Sequence, residues 1–305
     1  MIVGLGNNFG VSLGEKKINL KKKYNKEFSL KLYKKTINKT GPKNIFYAKE
    51  NTFSLDLALT AYKNFLRKNK NFDTKNVKNL VFVTETNNYN FPGNSFLFAS
   101  KLNFDPKTKL FDLNAGCTGF VDALDLAYKL NGNSLIICAE TYSKHIKKFD
   151  RSTSPLFSDG GSVFYLNKKY VKLVNTFKYF KKNSYNHLCS VEKNLFMDGK
   201  KVFDFVNQDV ISLLIPILKR NNSIKILFNH QASLTVQNLI KNKLHNFNLI
   251  IPSNIKKIGN TVSSSIPHLM NEYLKKNKIK KNSKILLCGF GVGLSVSACI
   301  LRVIK

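Results

Sequence analysis

Short apolar runs rich in β-branched residues recur along this chain, separated by segments of helical period, and that alternation constrains the fold more than any other feature. Residues 80–84, 110–113, 134–138, 162–166, 224–228, 284–288 and 294–301 each read as a buried strand flanked by turn residues. Ser54 is placed to cap a helix whose Leu55, Ala58, Leu59, Tyr62, Phe65 and Leu66 share one stripe. Over 117–130 apolar side chains surround the helix axis, interrupted only by Asp122, Asp125 and Lys129, which predicts a helix inside the protein. Strands alternating with helices predict an α/β fold with helices between or around sheets. Residues 134–140 and 156–166 pair a strand with a glycine-rich turn and a second strand, and 284–301 repeats that grammar without the long insertion. The echo reads either as two related halves or as independent turn chemistry. No linker rich in Pro, Gly or Ser interrupts the chain, so the expected boundary between 1–168 and 169–305 is a seam within one body.

Composition bounds the function. With 43% hydrophobic and 12% aromatic residues the 305-residue chain has material for a large core, which excludes intrinsic disorder. No apolar run reaches the ~18 residues that span a bilayer, and residues 1–6 lack the charged leader of a signal peptide. Five cysteines, widely spaced and mostly in apolar runs, form neither a disulfide framework nor a zinc pattern. The expectation is a soluble cytoplasmic protein with reduced thiols. Basic residues outnumber acidic ones 50 to 18, a net charge of +32, and such a field attracts nucleic acid, anionic lipid or an acidic protein. Nearly all of it is Lys spread along the chain, with only Arg67, Arg151, Arg220 and Arg302. Base readers use Arg, and single-strand binders array aromatics on a basic face. Neither pattern occurs, so the Lys excess reads as solvated surface, with 16–43 a candidate landing area for a phosphate-bearing partner.

Three residues stand out chemically. Cys117 follows the 110–113 strand and an Asn-Ala-Gly turn and opens the buried helix, where the helix dipole and unpaired N–H groups are expected to lower a thiol's pKa. A small core residue is the alternative. His230 follows the 224–228 strand, at the end where α/β proteins bind ligands. Asn260 follows Gly259 and precedes a predicted helix, where a turn or cap role is equally open. Cys, His and Asn on three separate segments match one recurring arrangement of a nucleophile with two polarising groups.

The stretches FDLNAGCTGF (111–120), AETYS (139–143), FDRSTSPLFSDGGSVFYL (149–166), MDGKKVFDF (197–205), NHQAS (229–233), GNTVSSSIP (259–267) and GFGVGL (289–294) resemble, in this order, the ketoacyl-ACP synthase III family. The resemblance runs from about residue 80 to the C-terminus. It implies the thiolase fold, two similar halves in a layered α-β-α-β-α body, and a homodimer. By that likeness Cys117 accepts an acyl group from an acyl-CoA or acyl-carrier-protein starter. His230 and Asn260 would then hold the carbonyl of malonyl-ACP through decarboxylation and condensation. Backbone N–H groups of Cys117 and Val292 match the oxyanion hole, Arg151 a substrate contact, and Phe91 the position where a partner subunit closes the acyl pocket. CoA or phosphopantetheine thioesters serve as substrates, and the chemistry requires no metal or redox cofactor. The chain departs from the family in two places. It has no Trp to stack the CoA adenine ahead of Thr40-Gly41, and it reads Ser233-Leu234-Thr235 where the family carries an Arg that docks the carrier protein. A rival within the same fold is a Cys-dependent acyltransferase that does not condense. A rival from another class is a basic nucleic-acid-binding protein on an inert enzyme fold.

Overall fold

The structure, a computed structural model, describes residues 5–27, 29–147, 150 and 152–304. The first half holds strands β1 (Phe9–Leu13), β2 (Lys16–Asn19), β3 (Asn44–Tyr47), β4 (Val77–Val83), β5 (Lys109–Leu113), β6 (Asn133–Glu140) and β7 (Gly160–Leu166). The second holds β8 (Val171–Phe180), β9 (Leu188–Val191), β10 (Asn194–Met197), β11 (Ile224–Asn229), β12 (Lys284–Gly291) and β13 (Ser295–Val303). The first helices are α1 (Leu20–Glu27), α2 (Leu30–Thr40), α3 (Ser54–Lys68), α4 (Asn94–Ser100) and α5 (Gly119–Lys129). They are followed by α6 (Gly199–Phe205), α7 (Ile211–Arg220), α8 (Leu234–Lys243), α9 (Ile255–Ile258) and α10 (Ser265–Lys276).

All seven predicted strands form, and they fall into two mixed sheets. The first runs β1-β7-β6-β4-β5, with β4 parallel to β5 and β6, and β6, β7 and β1 successively antiparallel. The second runs β11-β12-β13-β8, parallel at β11-β12 and antiparallel beyond. Ile250 bridges in parallel to Ile226 on the outer side of β11 and so takes the place that β5 holds beside β4. The two sheets thus repeat one order of parallel and antiparallel neighbours, with β6-β7 equivalent to β12-β13. The glycine-rich echo in the sequence marks a repeat of topology.

Strand alternation decides which side chains meet which layer. Val81, Val83, Ile136 and Cys138 face inward with Phe228, Leu287, Cys299 and Leu301 of the second sheet, and Phe120, Leu124, Ile266 and Met270 of α5 and α10 lie among them. Leu80, Phe82, Leu135 and Ile137 point the other way, onto Ala58, Ala61 and Phe65 of α3 and Phe98 of α4. Leu286, Cys288, Val296 and Ala298 face Leu214 and Leu218 of α7 and Val236 and Ile240 of α8. The result is five layers, helix, sheet, helix pair, sheet, helix. Apolar residues all round α5 therefore follow from a sheet on each side of it. Ser54 departs from its predicted role. It is the first residue of α3 and its Oγ donates to the Thr86 carbonyl at 2.7 Å, while the Asp56 carboxylate takes the Phe53 N–H at 2.9 Å. Among the described residues no helix is long and apolar enough to cross a membrane.

Candidate active site

The five layers bring three chain turns to one place. Cys117 lies between the end of β5 and the start of α5, His230 follows β11, and Asn260 lies between α9 and α10. All three line one cavity of about 740 Å³ and are themselves buried, at 6%, 1% and 3% exposure. Leu156, Phe157 and Phe290 give its floor apolar walls, while Lys35 and Lys39 of α2 stand exposed along its lining.

Glycine lets the second half press against Cys117. A Cβ on Gly291 would stand 2.8 Å from Cys117 Sγ, and one on Gly289 would stand 2.6 Å from the Cys117 carbonyl oxygen. The end of β12 therefore reaches the sulfur, and the N–H groups of Val292, in the turn that follows, and of Cys117 itself are both directed at it. The expected depression of the Cys117 pKa is not found. Burial raises it well above the usual thiol value and the Glu85 charge raises it further, against those two N–H groups. The helix dipole acts from two residues away and does not offset a dry site.

His230 is held by its backbone. Its N–H donates to the Cys288 carbonyl at 2.8 Å, and its carbonyl accepts from Gln237 Nε2 at 2.8 Å and Asn229 Nδ2 at 2.9 Å. Burial lowers its pKa to about 3, so the imidazole is neutral, and its ring meets Phe290 edge-on at 5.5 Å. Asn260 is fixed at both ends of its peptide, by Leu156 O at 2.9 Å and Ser158 N at 2.8 Å. Its Oδ1 accepts from Val262 N at 2.8 Å, which commits the amide orientation and leaves Nδ2 as the free donor. Val262 adopts φ 51°, a strained conformation for a β-branched residue, in the turn that carries this carboxamide.

Phe91 is 86% exposed and is not part of the cavity, so it does not pack into its own core. Arg151 lies outside the described residues. Sequence reasoning missed Glu85, Glu140 and Tyr142. The Glu140 carboxylate accepts from Glu85 N at 3.1 Å, Thr86 Oγ1 at 3.0 Å and Ser263 Oγ at 2.8 Å, tying the Asn260 turn to the end of β4. Tyr142 donates its hydroxyl to the Glu85 carboxylate, which also takes the Gly116 N–H beside Cys117. One signal was available. Acidic residues number only 18, and Glu140 closes the buried strand β6 while Glu85 stands two residues past the buried strand β4.

Known proteins resemble this chain in sequence and fold. The family described as 3-oxoacyl-[acyl-carrier-protein] synthase III matches residues 111–180, and its C-terminal part matches 219–303. The beta-ketoacyl-[acyl-carrier-protein] synthase III of Clostridium novyi is 32% identical over 221 residues, covering 64% of this chain and 68% of that one. That of Aquifex aeolicus is 29% identical over 279 residues, covering 87% and 88%. The crystal structure of the Aquifex aeolicus 3-oxoacyl-[acyl-carrier-protein] synthase III superposes with a TM-score of 0.84 at 26% identity over 97% of this chain and 98% of that one. The layered body is the thiolase fold, and the protein is an acyltransferase of the condensing class that serves fatty acid biosynthesis. The chain belongs to the ketoacyl-acyl-carrier-protein synthase III family.

Proposed function

We propose that the protein condenses an acyl-CoA or acyl-carrier-protein starter with malonyl-ACP, using Cys117 as the nucleophile and His230 and Asn260 as the enolate donors. The convergence of these three side chains on one buried cavity carries the reading. The 1–168 half supplies the sulfur and the 169–305 half the imidazole and carboxamide. In the first step Cys117 Sγ attacks the thioester carbonyl. The oxyanion is received by the N–H groups of Cys117 and Val292, and the thiol proton ends on the departing CoA or carrier thiol. In the second step the malonyl carboxylate leaves as carbon dioxide, and its bonding pair forms an enolate whose oxygen takes hydrogen bonds from His230 Nε2 and Asn260 Nδ2. A neutral imidazole suits that task, because it donates one N–H without bringing a buried charge. Preorganised donors of this kind contribute on the order of 3–4 kcal/mol each. The enolate carbon then attacks the acyl-Cys carbonyl, expelling the Cys117 thiolate, which takes up a proton.

The same reading makes Arg151 and Phe91 substrate-site residues, Phe91 acting from a partner subunit in a homodimer. Two features support the dimer, the uncovered edge of β5 and the exposed rings of Tyr89, Phe91 and Phe96 close to it in the chain. Unpaired cysteines throughout the described residues suit a reducing cytoplasm, where Cys117 stays a thiol. CoA and phosphopantetheine thioesters are the substrates, with no further cofactor in the reaction.

Incubation with acetyl-CoA is expected to add one acetyl mass to Cys117 by intact mass spectrometry and peptide mapping. An adduct confined to another cysteine overturns the assignment. Asn260→Ala is expected to acylate at near wild-type rate while release of carbon dioxide from malonyl-ACP falls roughly a hundredfold or more. Acylation in the wild type without any carbon dioxide release would place the protein with the non-condensing acyltransferases.

A further inference from the structure

A second cavity, about 390 Å³, lies behind the nucleophile. Leu188 lines both cavities, Gly291 lines the first, and Val292 and Gly293 line the second. On the other side Asn114 lines the second cavity and Cys117 the first. The sulfur therefore stands in the partition between them. A thioester arm that enters past Lys35 and Lys39 places its acyl tail beyond the partition, in the second cavity.

That second cavity is polar where it meets the sulfur. Glu85, Thr86, Asn114 and Tyr142 line it on the Cys117 side, and the Glu85 carboxylate rests on the Gly116 peptide. Tyr142 is buried and uses its only donor on Glu85, which leaves its oxygen lone pairs as acceptors. Burial pushes both the Glu85 carboxyl and the Tyr142 phenol up. An alkyl tail pressed against these groups strips their hydration and returns no hydrogen bond. A tail carrying a hydroxyl returns one.

We propose that the cleft behind Cys117 selects a short acyl group bearing a hydroxyl on its first few carbons, with the Glu85–Tyr142 pair as the specificity determinant. This rests on the acylation of Cys117 proposed above. Sites built to hydrogen-bond a substrate hydroxyl reject the analogue lacking it by large factors, so a preference of roughly tenfold or more is expected.

The test compares initial rates of Cys117 acylation by 3-hydroxybutanoyl-CoA and butanoyl-CoA, read by intact mass on the full chain, with acetyl-CoA as the common reference. The wild type is expected to favour the hydroxylated donor at least tenfold. Tyr142→Phe, which keeps the ring, is expected to bring the ratio to within about twofold of one, and Glu85→Gln, which keeps hydrogen-bonding capacity, to preserve a several-fold preference. A wild-type ratio of one or below, or a ratio unmoved by Tyr142→Phe, overturns the inference while acetyl labelling leaves the proposed function standing. Failure of all three donors to label Cys117 overturns both.

Discussion

Gly291 and Gly289 sit on one strand, two residues apart, and press on Cys117 in different ways. At Gly291 an added Cβ would stand 2.8 Å from both Cβ and Sγ of Cys117, in a backbone conformation (φ 157°) that side chains rarely adopt, whereas at Gly289 the obstacle is backbone, with the Cys117 carbonyl oxygen at 2.6 Å and Thr118 Cα at 2.8 Å. The sulfur can rotate away, but Cys117 Cβ, like the carbonyl between two layers, moves only with the backbone. Gly291→Ala is therefore expected to lower the rate of Cys117 acylation about tenfold to a hundredfold and also to lower the urea midpoint. Gly289→Ala is expected to destabilise by about 1–3 kcal/mol through overpacking, read from urea unfolding. At this scale Cys117, His230 and Asn260 were legible because each stands at a strand end or helix start in a distinctive short motif. The raised Cys117 pKa was not, because it comes from burial and from Glu85, 32 residues earlier in the chain. The strained φ of Val262 was equally invisible, since nothing in Thr261-Val262-Ser263 demands a positive φ.

Apolar runs made β4, β6, β7, β11, β12 and β13 legible, and these are largely buried. Burial was not the whole of it, since β5 was read although it is half exposed, the buried β1 was missed, and so was β8 although it has ten residues. It is the outer strand of its sheet, and Lys172, Asn175 and Lys178 break its apolar pattern. Lys178 nevertheless has a task, since its Nζ meets Asp122 of α5 at 2.8 Å, and Asp122 also accepts from Ser297 Oγ of β13 at 2.8 Å. The acidic interruptions of the buried helix are thus fixing points to the second sheet. Helix α8, which adjoins the His230 turn, depends on a cap. Ser233 Oγ accepts from Val236 N at 3.2 Å and satisfies one of the free N–H groups of the first turn. Ser233→Ala is expected to lower stability by about 1 kcal/mol in urea titration. A Ser233→Asp replacement, which restores an acceptor, is expected to recover most of that loss.

The whole molecule gathers buried titratable groups of both kinds around one site, and their opposed shifts set a pH window for stability. Burial lowers His230 to about 3 and His268 to about 4, each from an ordinary 6.5. Over that span the unfolded chain binds protons the folded one refuses, so stability falls as pH drops below about 6.5. Burial first, and then the charge of Glu85, raises Glu140 from 4.5 to about 8, and burial raises Asp159 from 3.8 to about 6. These carboxyls hold protons that the unfolded chain has already released, so their contribution is complete below about 4 and is lost as pH rises through 6 and then 8. Between about 4.5 and 6.5 the two trends oppose each other, and the thermal midpoint is expected to peak there. Below that window further protonation also adds to a net charge already at +32, which steepens the acid limb. Glu140→Gln fixes the group in a form close to its protonated one while keeping an acceptor for Ser263. It is expected to flatten the alkaline limb between pH 6.5 and 8 by at least half and to leave the acid limb unchanged. Thermal unfolding of both proteins across pH 4 to 9 reads the two limbs separately, and an alkaline limb of the same slope in Glu140→Gln would remove the buried carboxylate as its cause.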